Sequence, residues 1–308
     1  MKILIACIMA ASLLATATLH AAEEAPSSVL IPVGAATIET LIAPGDLAVS
    51  HDQIGAWISA AAHTVERYYQ RFPVSKVHLT VTPIAGDVIH GVTYRGTEPL
   101  MLIQIGATVG PDQLAHDWVM THEMVHLAFP PVARRHHWIE EGIATYVEPL
   151  ARAQAGLLDA EGVWRWLLNG APKGLPEPGD RGLDNTPTWG RTYWGGALFC
   201  LLADIAIRER TSNQKSLQDA LRAVTASGGT MQQDALWPLA DALEIGDRAT
   251  GVPVLAELYA QMKDSPTVTD LDDLWRQLGV AMHSDSVTFD DGARLAKLRQ
   301  ALTTVAAQ

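Results

Sequence analysis

The sequence predicts an α+β protein. Its N-terminal half mixes strands with a helix, and its C-terminal half is all helical. Three observations predict this. Apolar residues alternate in short runs in the first third of the chain, as at Val77, Leu79 and Val81. From Tyr193 onward they recur at helical steps, separated by Gly, Asp, Ser and Thr. At the junction lies His122-Glu123-Met124-Val125-His126, an HExxH pentapeptide in a stretch that is apolar on nearly every face.

Lys2 precedes an uncharged apolar run over residues 3–19, and Ala21 and Ala22 precede the polar Glu23, Glu24 and Pro26. Residues 1–22 therefore read as a secretory signal peptide, with export to the periplasm or the exterior. The alternative is an uncleaved membrane anchor, because Leu19 and His20 fall where small residues are preferred at a cleavage site. Residues 26–42 read as one or two strands with a Pro/Gly turn. Residues 51–72 read as a helix, from Ile54, Trp57, Ile58, Ala61, Val65 and Tyr68, stopped by Pro73. Strands follow at 77–84, 88–94 and 100–105.

The HExxH helix is expected over 118–129, ended by Pro130 and Pro131, and a second helix over 138–148 with Pro149 beyond it. A short helix at 162–168 and a Pro/Gly-rich loop at 171–187 come next, and a loop of that length is usually functional or mobile. Helices are expected at 194–210, 216–226, 236–243, 254–262, 271–278 and 292–304. The organisation is thus a signal at 1–22, an α/β unit at 23–150 carrying the metal helices, and a helical unit at 151–308.

A net charge of −12 argues against nucleic acid, whose phosphates need Lys and Arg. Beyond the signal there is no second long apolar run. Removing the signal takes Cys7 and leaves only Cys200, so the mature chain has no internal disulfide. Cys200 lies in an apolar run and reads as a small core residue. Oligomeric state is not readable from these features.

On a helix, positions i and i+4 share a face, so His122 and His126 aim two imidazoles at one cation. Glu123 is rotated aside, where it reaches a water rather than the metal. A catalytic zinc takes three protein ligands and keeps one open position. The nearest third ligand is Glu141, in Trp138-Ile139-Glu140-Glu141-Gly142-Ile143-Ala144-Thr145-Tyr146, with Glu140 as its rival.

These two segments resemble the gluzincin metallopeptidases, whose HExxH is followed on the next helix by a W-x-x-E-G-x-A-x-Y-like segment. The match lies at His122, Glu123, His126, Trp138, Glu141, Gly142, Ala144 and Tyr146. The resemblance implies a zincin-like (thermolysin-like) domain and selects Glu141 over Glu140 as the Zn²⁺ ligand. Fourteen residues separate His126 from Glu141, fewer than in the aminopeptidase N and thermolysin branches. Gly142 is expected to let the second helix approach the first. There is no G-x-M-E-N segment to hold a substrate amine; Glu98 is the stand-in.

Arg191-Thr192-Tyr193-Trp194-Gly195-Gly196-Ala197-Leu198 resembles the Y-x-K-G-A-like segment of the aminopeptidase N and glycyl aminopeptidase types. That resemblance implies Tyr193 as the oxyanion donor, with His136 or His137 as the alternative. Glu148 returns to the face of Glu141 and is expected to accept the second ring N–H of a ligand histidine. The implied activity is hydrolysis of peptide or protein substrates, with Glu123 as general base. A zinc-bound, non-catalytic peptide-binding or envelope scaffold, or a zinc amidase acting on a non-protein amide, would use the same ligands.

Overall fold

A computed structural model describes residues 26–304. The signal segment at 1–22 and Cys7 lie outside the described residues. Strands β1 (Ser27–Val33) and β2 (Ala36–Ile42) form an antiparallel hairpin. Helix α1 (His51–Tyr69) then crosses to β3 (Lys76–Ile84), which lies parallel to β2. Next come β4 (Ile89–Tyr94) and β5 (Leu100–Gly106), and β5 inserts between β3 and β4. The sheet order is β1-β2-β3-β5-β4, with β3 and β5 parallel and β4 antiparallel at the edge.

The alternation seen in sequence is the buried face of this sheet. Ile38 pairs with Val77, Leu79 with Met101 and Val81 with Ile103, all at 0–1% exposure. Helix α1 packs here, and Ser50 caps it reciprocally with Gln53. It ends at Gln70, in the left-handed region at φ 61°, earlier than the expected stop at Pro73.

Short α2 (Pro111–Ala115) leads to α3 (Val119–His126), every residue of which is buried. Asp117 Oδ2 accepts the Met120 N–H at 3.1 Å and starts the helix. The chain leaves regular helix at His126, in tight turns up to Phe129. Helix α4 (His137–Ala155) follows and carries Pro149 inside it, where the sequence predicted a stop near Glu148. Proline leaves the carbonyl four residues back without its helical donor. That carbonyl belongs to Thr145, and the Trp166 indole N–H, from α5 (Ala160–Gly170), donates to it at 3.2 Å.

A π-helical turn, Gly190–Gly195, runs into α6 (Gly196–Arg210). Then come α7 (Leu217–Ala226), α8 (Leu239–Thr250), α9 (Val254–Met262) and α10 (Leu271–Leu278). A hairpin of β6 (Val280–His283) and β7 (Ser286–Phe289) precedes α11 (Ala296–Thr303). This hairpin corrects the all-helical reading of the C-terminal half. Its strands are four residues long and its turn holds Ser284 at φ 56° without a glycine, so neither periodicity nor turn chemistry announces it.

Gly142 does sit at a close approach, but to α6 and not to α3. A Cβ there would meet Gly196 C at 2.3 Å, and one on Gly196 would meet the Trp138 carbonyl at 2.0 Å. The two glycines let α4 and α6 cross with backbones in contact. No helix among the described residues is long and apolar enough to cross a membrane.

Candidate metal centre

Helix α3 lies between edge strand β4 and α4, so its polar side chains face partners from both sides. One ligand atom each from His122, Glu123 and His126 lies within 4.8 Å of the others. Helix α4 adds Glu141. Its Oε2 stands 3.4 Å from His122 Nε2 and 3.6 Å from His126 Nε2. Zinc bonds of about 2.0–2.2 Å in a tetrahedron put ligand atoms about 3.4 Å apart. Glu141 Oε2 is buried and has no hydrogen-bond partner among the described residues. A buried carboxylate oxygen without a donor is costly, and a cation between it and two imidazoles removes the cost. The three donors therefore fit Zn²⁺.

Glu123 is close enough to compete for the metal, but its carboxylate is turned to the sheet. The Thr93 hydroxyl, on β4, donates to Glu123 Oε2 at 2.8 Å and lies 3.0 Å from the Glu123 carbonyl oxygen. Gly91 makes room for this. A Cβ at Gly91 would meet Glu123 Cγ at 2.4 Å. This geometry sets Glu141 Oε2 against both imidazoles and turns the Glu123 carboxylate aside onto Thr93. Glu140 points elsewhere: Oε1 accepts the Val132 N–H at 3.3 Å, and Oε2 lies 3.0 Å from His137 Nδ1.

Burial pushes the Glu141 carboxyl up, but the imidazoles of His122 and His126 outweigh it and hold it well below the usual range. Burial lowers His126, yet Glu141 and then Glu123 reverse the shift and raise its imidazole to about 9 without metal. Tyr193 comes from the π-helical turn, and its ring stacks on His122 at 6.5 Å between centroids. Burial and the charges of Glu141 and Glu123 push its hydroxyl up to about 12, so it stays protonated at neutral pH. π-helical turns recur at functional sites because they re-aim a side chain.

His136 is excluded as oxyanion donor. Its Nδ1 lies 2.9 Å from Asp184 Oδ1, and its Nε2 accepts from Arg135 Nε at 3.0 Å. Asp184 also accepts from Trp138 Nε1 and Tyr259 Oη, fastening the long loop to α4 and α9. His137 is half-exposed at the centre, with Nε2 3.3 Å from Glu141 Oε1. Glu98 spends its carboxylate on Lys76 and His78, which gives it other work than holding a substrate amine.

Glu148 also departs from expectation. Its Oε1 accepts from Arg152 at 3.0 Å, and among the described residues no hydrogen bond joins it to His122 or His126. Burial raises it to about 7 against the pull of Arg152. Tyr146 is fully buried and donates to Asp204 on α6, a structural tie. Cys200 is buried, and burial pushes its thiol far up, so it is inert, as the sequence predicts.

Sequence reasoning alone misses Thr93 and Gly91, and it gives His137 only an oxyanion role. Thr93 and Gly91 share the less exposed face of β4 with Ile89, but Val92 and Tyr94 lie on the exposed face, so no apolar alternation in the sequence marks them. Trp118, whose apolar character places it in the helix core by sequence, is exposed, and its ring packs perpendicular to that of His122 at 5.4 Å between centroids.

Neither a family profile nor a curated protein matches the sequence. Among solved structures, the chain is similar to an aminopeptidase N family protein from Idiomarina loihiensis, with a TM-score of 0.62 and 13% identity over 83% of this chain and 49% of that one. The two proteins share a fold. The chain is also similar to an M1 zinc metallopeptidase from Deinococcus radiodurans, with a TM-score of 0.51 and 16% identity over 80% of this chain and 53% of that one. A mutant of that Deinococcus protein bound to a Tyr-Ser-Ala substrate matches equally. The chain thus spans about half the length of the solved structures it matches.

Proposed function

We propose that this chain is a zinc-dependent peptidase that uses Glu123 as general base and acts outside the cytoplasm. The observation that carries the reading is the bare Oε2 of Glu141, 3.4 and 3.6 Å from two imidazole nitrogens, with Glu123 turned aside on Thr93. A structural zinc is closed by a fourth protein ligand and needs no base.

His122, His126 and Glu141 would hold the metal. A zinc ion bound there would supply Lewis acidity toward a water and a carbonyl oxygen. Glu123 accepts a proton from the attacking water at Oε1 or Oε2 and returns it to the leaving amine. Thr93 keeps that carboxylate beside the reacting atoms. Tyr193 donates a hydrogen bond from its hydroxyl, which keeps its proton, to the carbonyl oxygen as charge develops. Among the described residues, edge strand β4 has one side without a strand partner, against which an extended peptide can pair. The substrate bound by the Deinococcus protein supports a short peptide as substrate class. The apolar run and small residues at 1–22 support export.

The test compares wild type with Glu123→Gln for zinc content and for digestion of a peptide library. Wild type is expected to hold one zinc and cleave peptides, and Glu123→Gln to hold zinc and cleave none. A zinc-loaded wild type without peptide cleavage, or an active Glu123→Gln, defeats the reading.

A further inference from the structure

We propose that His137 is a positioning residue for the metal ligand Glu141: it holds Oε1 and leaves Oε2 to ligate alone. The proposal rests on the reading of His122, His126 and Glu141 as zinc ligands. His137 opens α4 one turn before Glu141, so the two side chains share a helix face. Its Nε2 lies 3.3 Å from Glu141 Oε1. Its Nδ1 lies 3.0 Å from Glu140 Oε2, and Glu140 Oε1 accepts the Val132 N–H at 3.3 Å. The ring is thus braced against a carboxylate that is itself fixed to the backbone before α4.

The two oxygens of Glu141 have different surroundings. Oε1 faces His137, whereas Oε2 faces both α3 imidazoles and lacks a hydrogen-bond partner. A carboxylate with both oxygens free can close on a metal through both and fill the corner a substrate needs. With Oε1 engaged, it binds through one. Glu140, the rival ligand in the sequence, thereby steers the ring that steers Glu141.

The test titrates metal-free wild type, His137→Ala and His137→Gln with zinc against a competing chelator at one pH. Cobalt(II) then serves as a spectroscopic probe of coordination. His137→Ala is expected to lose roughly 10–100-fold in zinc affinity, with an unchanged circular dichroism spectrum and urea midpoint before metal is added. Its cobalt absorption is expected to weaken, as a higher coordination number weakens it. His137→Gln, whose amide N–H reaches the same oxygen, is expected to recover most of both. His137→Ala with wild-type affinity and a wild-type cobalt spectrum overturns the proposal. A wild type that binds no zinc overturns the metal reading itself.

Discussion

The Thr93 hydroxyl stands 2.8 Å from Glu123 Oε2, joining the edge of the sheet to the middle of the HExxH helix. In the proposed mechanism this contact keeps the carboxylate off the metal and ready as a base. Hydrogen bonds to charged groups contribute about 1.5–3 kcal/mol, and about 1.36 kcal/mol is tenfold in rate. Thr93→Val is therefore expected to lower kcat roughly 10–100-fold while zinc content stays at one per chain. Steady-state kinetics with metal analysis checks it; an unchanged kcat removes Thr93 from the mechanism.

Gly91 is tested by volume. A methyl at this position meets Glu123 Cγ at 2.4 Å and Val119 Cγ1 at 2.9 Å. Something must shift, and the Glu123 side chain is the softest part. Gly91→Ala is expected to cost about 10²-fold in kcat, the scale of a 1 Å misplacement, with zinc retained. Wild-type turnover would show that Glu123 needs no such clearance.

Tyr193→Phe removes the hydroxyl and keeps the ring that stacks on His122. Loss of one oxyanion donor costs about 10²–10³-fold in kcat. The loss should appear in kcat with little change in KM. An unchanged kcat leaves the oxyanion to another donor, and His136, with both nitrogens engaged, is not it.

Stability against pH tests the electrostatics without metal. His126 is raised to about 9 from 6.5. Its contribution is fully present below about 6.5 and is lost as pH rises through 9. Glu148, raised to about 7 from 4.5, changes in the same direction, because burial favours its protonated form. Glu141 is depressed, so its contribution is present above 4.5 and is lost only in strong acid. Metal-free protein is expected to have a higher Tm at pH 6 than at pH 9.5, by scanning calorimetry with a chelator present. A flat or rising Tm across that range contradicts the assignments.

The proposed metal ligands are legible in the sequence because their geometry is local. His122 and His126 are one turn apart on one helix, and Glu141 sits in a segment whose neighbours match a known pattern. Strand β3 is legible from its alternation of Val77, Leu79 and Val81. What surrounds the ligands is not, because it depends on pairings far apart in sequence. Thr93 reaches Glu123 only after β4 takes the sheet edge beside α3. Pro149 reads as a helix stop until Trp166 supplies a donor to the Thr145 carbonyl. Glu148 keeps the helix face expected of it, but Arg152, four residues on, takes its carboxylate first. The α4–α6 glycine crossing needs two segments more than fifty residues apart to meet.

Every catalytic step above requires one cation held by three side chains from two helices. Anomalous diffraction at the zinc edge, on crystals of protein grown with zinc, tests this most directly. The predicted result is a single strong peak within bonding distance of His122 Nε2, His126 Nε2 and Glu141 Oε2, with no fourth protein ligand. Absence of a peak there, or one closed by a fourth side chain, would contradict it.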